Sequence, residues 1–134
     1  MNNGSKIWAV GSSFGGTRDQ TGKFLQNNEW VEGWGLSNND RYKKILDLIS
    51  VNDYLVMKSS ATKGTNHSIT FTRLKAIGKV IGKENYYTFM VNWLSTEKFP
   101  IDFDGIRYSK TIELLREDIL MTYVRQFILA FGSL

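Results

Sequence analysis

The sequence predicts an α+β fold, a strongly curved sheet or pseudo-barrel of about six strands flanked by helices. Two patterns carry this expectation: strand-like alternation fills the middle of the chain, and helical spacing brackets it. Residues 7–10 form a short β-prone run, stopped by Gly11-Ser12-Ser13-Phe14-Gly15-Gly16, a glycine-rich loop able to take positive φ. Residues 16–24 read as a loop and helix start. Asn38-Asn39-Asp40 then offer N-cap residues, and Tyr42, Ile45, Leu46 and Ile49 recur at helical spacing up to a break at residues 50–53. Residues 54–58 are a compact apolar run, followed by a polar loop to residue 68 and by apolar runs at 69–71 and 74–81. In residues 86–93, Tyr87, Phe89, Val91 and Trp93 interleave with Tyr86, Thr88, Met90 and Asn92, which suits a half-buried strand. Residues 82–85 are the expected hairpin turn before it, so the sheet neighbours are expected to be antiparallel. Ile119, Tyr123, Phe127 and Phe131, with Leu120, Val124 and Ile128, give a long apolar helical stripe near the C-terminus.

At 134 residues and 15.4 kDa, residues 1–134 are read as a single domain, large enough to fold without staples. The absence of cysteine excludes disulfides, thiolate zinc sites and cysteine nucleophiles, and a single histidine, His67, thins the catalytic options and excludes a two-histidine metal site. No cofactor is expected, and no enzymatic activity. No stretch approaches the roughly 18 apolar residues that span a bilayer, and the polar start lacks a signal-peptide core, so a cytoplasmic protein without membrane contact is expected.

Three candidate chemistries fail on their residues. Residues 16–24 resemble a phosphate-binding loop, but the glycine spacing is one residue too long and Phe24 replaces the hydroxyl that would bind magnesium. Asp102 and Asp104 sit two apart with no histidine or cysteine beside them and read as solvated turn residues. His67 lies among Gly64, Thr65, Asn66 and Ser68, as an exposed loop residue.

Charge and aromatics point elsewhere. The chain carries a formal charge of +4 with 13% aromatic residues, a pairing common in nucleic-acid binders. From Tyr54 through Lys83 there is no Asp or Glu, while Lys58, Lys63, Arg73, Lys75, Lys79 and Lys83 supply six positive charges. Lys75 and Lys79, four apart with Arg73 at the leading edge, form a basic stripe if they lie on one strand face; a solvated lysine face kept for solubility is the alternative. Trp30 and Trp34, in the glycine-flanked Glu29-Trp30-Val31-Glu32-Gly33-Trp34-Gly35, fit a loop or rim where an indole can stack on a base, or else the core. Trp8 and Trp93 read as core.

These pieces together resemble a known family. Ile7-Trp8-Ala9-Val10-Gly11-Ser12-Ser13-Phe14-Gly15-Gly16, Asp19-Gln20-Thr21 with Phe24 and Trp30, Asp53-Tyr54-Leu55-Val56-Met57-Lys58-Ser59-Ser60, and Leu74-Lys75-Ala76-Ile77-Gly78-Lys79-Val80 with Val91-Asn92-Trp93 are similar to the N-terminal domain of McrB-type AAA+ restriction ATPases. That domain belongs to the EVE group of the PUA superfamily, related to YTH domains, and the resemblance covers nearly the whole chain. It implies a pseudo-barrel that accepts a modified base, typically a methylated one, in an aromatic-walled pocket and directs a motor and a partner nuclease to modified DNA. By position, Trp30 resembles the cage tryptophan, with Trp34 near it. Ser12 and Ser13 resemble the loop that contacts the base, and Lys58, Ser59 and Ser60 the opposite wall. Thr62, Lys63, Arg73, Lys75 and Lys79 are then the expected phosphate contacts, together with Arg125 in the last helix. Asn52-Asp53 departs from the usual Gly-Asp, and the sequence carries no Walker A, so the expectation is either a single domain excised from a motor protein or a standalone reader. The expectation is a reader of a modified base in DNA within a restriction system; an RNA reader of the same superfamily, and a protein-interaction domain with Trp30 and Trp34 as an exposed anchor, are the alternatives.

Overall fold

The computed structural model describes residues 4–14, 18–33, 42–94 and 97–131. The chain runs β1 (Ile7–Gly11), β2 (Ser13–Phe14), β3 (Arg18–Asp19), α1 (Thr21–Asn27), β4 (Glu29–Val31) and α2 (Lys43–Leu48). It continues through β5 (Tyr54–Lys63), a 3-10 turn (Thr65–His67), β6 (Ile69–Asn85), β7 (Thr88–Trp93), β8 (Ile101–Asp104), β9 (Ile112–Leu114) and α3 (Ile119–Phe131). Among the described residues no helix is long and apolar enough to cross a membrane.

The fold is α+β. A curled seven-stranded sheet has the order β4-β7-β6-β5-β1-β9, and β8 joins β6. β5 covers one edge of β6 from Ile69 to Lys79, and the other edge is shared: β8 pairs with residues 71–74 and β7 with residues 78–85. Two irregularities in register along β6–β7 and one between Met57 and Lys58 bend the ladder, as extra residues in one strand increase local twist. β2 and β3 make a separate two-stranded ribbon beside the end of β1.

Apolar side chains fill both faces of the sheet. On one face α3 lays Leu120, Val124, Phe127 and Ile128 over Ile7, Ala9, Val56, Leu74 and Ile77. Asp118 caps this helix, accepting the Met121 N–H at 2.9 Å. On the other face α1, α2 and β4 enclose Trp8, Val10, Leu55, Met57, Val80 and Phe89 with Phe24, Trp30, Leu46 and Ile49. Strand β5 is therefore buried on both faces from Tyr54 to Lys58, which is why it reads as a continuous apolar run rather than an alternating one.

Three expectations are corrected here. β1 and β5 are parallel, Ile7 opposite Tyr54 through Gly11 opposite Lys58, because α1, β4 and α2 form a connection long enough to return the chain to the same end. The runs at 69–71 and 74–81 are one strand of 17 residues, since Thr72 stays inside the ladder with its hydroxyl donating to the Ile106 carbonyl at 2.7 Å. Residues 82–85 belong to β6 as well; the turn sits at Tyr86 and Tyr87, where the Tyr87 N–H is held by Asn85 Oδ1 at 3.0 Å. The N-cap expected at Asn38-Asn39-Asp40 lies outside the described residues.

The Asn52-Asp53 departure has a physical explanation. Asn52 has φ of 78°, a left-handed conformation that glycine takes freely and asparagine tolerates better than most residues. That turn aims the buried Asp53 carboxylate at three N–H groups: the Trp8 indole and the Lys6 backbone, both at 3.0 Å, and the Ser50 backbone at 2.9 Å. Asp53 thus locks the start of β5 to β1.

Candidate nucleic-acid interface

The strap of residues 105–110 crosses the α3 side of β5 without a strand partner of its own, so its polar backbone groups need side chains. They come from alternate positions of β5 and from β6. Ser60 Oγ donates to the Tyr108 carbonyl at 2.9 Å and accepts the Tyr108 N–H at 3.1 Å. Lys58 is 5% exposed, and its ammonium donates to the carbonyls of Tyr108 at 2.7 Å and Lys110 at 2.6 Å. Burial pushes its pKa down to about 8; the charge of Lys75 acts in the same direction and that of Glu113 against it.

A cleft of about 550 Å³ opens beside this clamp, lined by Lys58, Ser60, Ala61, Thr62, His67, Arg107, Tyr108 and Ser109. Three residues singled out from the sequence, Lys58, Ser60 and Thr62, meet there. His67 enters from the tip of the β5–β6 turn, where Asn66 and His67 both take left-handed backbone, φ 56° and 54°. Arg107 and Ser109 were missed in the sequence; they lie in a polar stretch with no periodicity, and only the strap's path over β5 places them. Tyr108 is fully buried, its ring covered by Arg116 at 4.1 Å and its hydroxyl donating to Asp118. Burial, reinforced by that hydrogen bond, raises the Tyr108 hydroxyl pKa to about 12.

Ser12 belongs to a second group at the end of β1, on the neighbouring strand. Its buried hydroxyl accepts from Lys75 Nζ at 3.1 Å and lies 2.9 Å from the Thr21 hydroxyl, which is 2.6 Å from Asp19 Oδ1. Lys75 also reaches Asp19, at 3.5 Å. Partial burial raises the Asp19 pKa, but the hydrogen bonds from Thr21 and the charge of Lys75 outweigh it and leave the carboxyl below its ordinary value. Ser13 is exposed on β2, and Ser59 is half-buried opposite Arg73 in the β5–β6 ladder.

Trp30 is a correction. It lies in β4 rather than in a loop, is 1% exposed, packs on Phe89 at 5.8 Å between centroids, and its indole N–H donates to the Gly11 carbonyl at 2.7 Å. No face of it is open to a base or to a partner protein, and its truncation to alanine would remove core packing worth about 3–5 kcal/mol. Trp34 lies outside the described residues. Trp8 is buried and Trp93 half-buried, each with its indole N–H bonded.

The basic stripe is also altered by the fold. Arg73 is gripped by Asp102 through two hydrogen bonds, at 2.8 and 3.1 Å, and Lys63 lies 2.8 Å from Asp104. Asp102 and Asp104 are thus ion-pair partners on strand β8, facing the basic strand, rather than turn residues. The hydrogen bond from Arg73 leads in holding the Asp102 carboxyl below its ordinary value. Arg125 is tied to Glu117 by two hydrogen bonds, at 2.8 and 2.6 Å. Lys79, opposite Tyr54 and half-buried, has no carboxylate partner among the described residues.

No protein-family model matches the chain, and a search of curated proteins finds no significant match.

Proposed function

We propose that this chain is a non-enzymatic nucleic-acid-binding module that recognises a modified, methylated base in DNA by flipping it out of the duplex, and that it works in the cytoplasm as the specificity domain of a modification-dependent restriction system. In that setting its partners are an AAA+ motor and a nuclease. The observation that supports this most is the cleft beside Lys58: cationic and hydroxyl side chains line it, no carboxylate does among the described residues, and it adjoins the Ser12 and Lys75 group across the β1–β5 pairing. With Trp30 committed to the core and the Ser12 hydroxyl buried among Lys75, Thr21 and Asp19, the aromatic wall of the base pocket is proposed to be Trp34 and its polar edge Ser13.

The energetics limit what each part supplies. A buried methyl group contributes about 0.8 kcal/mol, and flipping costs a few kcal/mol of lost stacking. Contacts to phosphates must offset the difference. If three or four phosphates are neutralised, log affinity falls with log salt at a slope of about −3.

The test is a binding panel at low salt, with labelled duplexes carrying methylated adenine, methylated cytosine, hydroxymethylated cytosine or no modification. One modified duplex is expected to bind at least tenfold tighter than the unmodified one, a preference that Trp34→Ala removes. Equal affinity across the panel overturns the reading. Preference for a matched RNA carrying the same modified base moves the assignment to an RNA reader.

A further inference from the structure

The cleft beside Lys58 is chemically unlike a base pocket. A base is held by an aromatic or apolar wall and by donors and acceptors along its edge. Here the one Phe, Tyr or Trp in the lining, Tyr108, is fully buried with Arg116 over its ring and its hydroxyl on Asp118, so the one ring left to face the cleft is the small imidazole of His67. What the lining offers is hydrogen-bond donors. Lys58 spends two of its three ammonium protons on the Tyr108 and Lys110 carbonyls, which fixes the charge at the back of the cleft and leaves one proton for a ligand. Thr62 and Ser109 add hydroxyls at the rim.

Two further groups face the cleft without any partner among the described residues: the guanidinium of Arg107 and the imidazole of His67. Both sit on segments shaped to bring them there. Arg107 rides on the strap that Lys58, Ser60 and Thr72 pin to the sheet. His67 is held at the turn by left-handed backbone, a conformation that non-glycine residues rarely adopt. Three cationic or protonatable nitrogen groups and two hydroxyls converge with no Asp or Glu among the lining residues, and this set complements a tetrahedral oxyanion.

We propose that this cleft is a phosphate seat, and that the phosphate it takes is a backbone phosphodiester of the bound strand. Lys58 and Ser60 thereby hold the strand and do not wall the base. This rests on the nucleic-acid reading above for the source of the phosphate, but not for the chemistry of the seat.

The full chain is titrated with inorganic phosphate and, separately, with duplex DNA, while the backbone amide signals of Thr62, His67 and Ser109 are followed by NMR. Both ligands are expected to move these signals. Arg107→Ala, an exposed position whose loss leaves the remaining spectrum unchanged, removes the phosphate response and weakens DNA binding about tenfold. A duplex series with one neutral methylphosphonate at each position in turn should contain a linkage whose neutralisation weakens the wild type and not the Arg107→Ala variant. DNA binding that leaves the cleft signals unmoved and is indifferent to Arg107→Ala overturns the seat while leaving the module a DNA binder. A phosphate response without DNA binding, or without a sensitive linkage, overturns the phosphodiester and makes the seat one for free phosphate.

Discussion

The β5–β6 hairpin and the segments packed on it carry two sets of cations in opposite electrostatic states. Lys63 and Arg73, like Arg125 on α3, are exposed or half-exposed and each meets a carboxylate within 2.8 Å. Lys58 and Arg107 gather, with the imidazole of His67, around one cleft lined by no carboxylate among the described residues. Counting charges along the chain favours the first set, which contains three of the expected phosphate contacts. Folding reverses the ranking, because strand β8 brings Asp102 and Asp104 beside the basic side chains of β5 and β6, whereas the one charged side chain that the strap brings to the cleft lining is Arg107. A basic segment is therefore a poor guide to a positive surface until its cross-strand neighbours are known.

The largest expected effect comes from the residue that holds the cleft together. Lys58→Ala removes a buried stem and leaves the Tyr108 and Lys110 carbonyls without their donor, at a cost of about 2–4 kcal/mol in urea unfolding. The wild type should also gain stability with alkali in a window set by this residue. Lys58 has a folded pKa of about 8 against an ordinary 10.5, so between those values the unfolded chain binds a proton that the folded chain has released, and stability rises with pH. Unfolding free energies measured from pH 8 to 10.5 should show that rise, of the order of 3 kcal/mol at most, and Lys58→Ala should flatten it.

Next in size is the contrast between the two cation sets in DNA binding. Arg107→Ala should lower affinity about tenfold and make the salt slope about 0.9 shallower. Arg125→Ala should change affinity less than about twofold, since Glu117 already neutralises that guanidinium. Equal losses in fluorescence anisotropy would erase the distinction. The smallest effect is a gain. Asp102→Asn frees Arg73, and should raise DNA affinity about two- to threefold at low salt while costing less than about 1 kcal/mol of stability. An affinity unchanged by this substitution would place the β6–β8 edge away from the DNA.

Much of the fold was legible because local patterns agreed with it. The two-residue alternation of β7 holds from Phe89 onward, with Thr88 buried against it, and the helical stripe of α3 matches at Leu120, Val124, Phe127 and Ile128 while Ile119 is exposed; Trp8 and Trp93 sit in the two strands read for them. The boundaries that failed did so where a distant partner changed a residue's preference: Thr72 is polar yet interior because Ile106 accepts its hydroxyl. The site was half legible. Lys58, Ser60 and Thr62 stand out as polar residues at alternate positions after a doubly apolar strand, but nothing local marks Arg107.

By itself the sequence determined the α+β class, the excess of basic and aromatic residues, and the lack of cysteine and of a second histidine, because these depend on composition and on short periodicities. Only the tertiary structure decided which tryptophan is core and which cations are free. Trp30 is buried because β4 pairs with β7 and the end of β1 accepts its indole N–H, and Arg73 is neutralised because β8 lies against β6. The Trp30 indole bond and the Arg73–Asp102 pair join residues 19 and 29 positions apart, where short-range patterns have no reach.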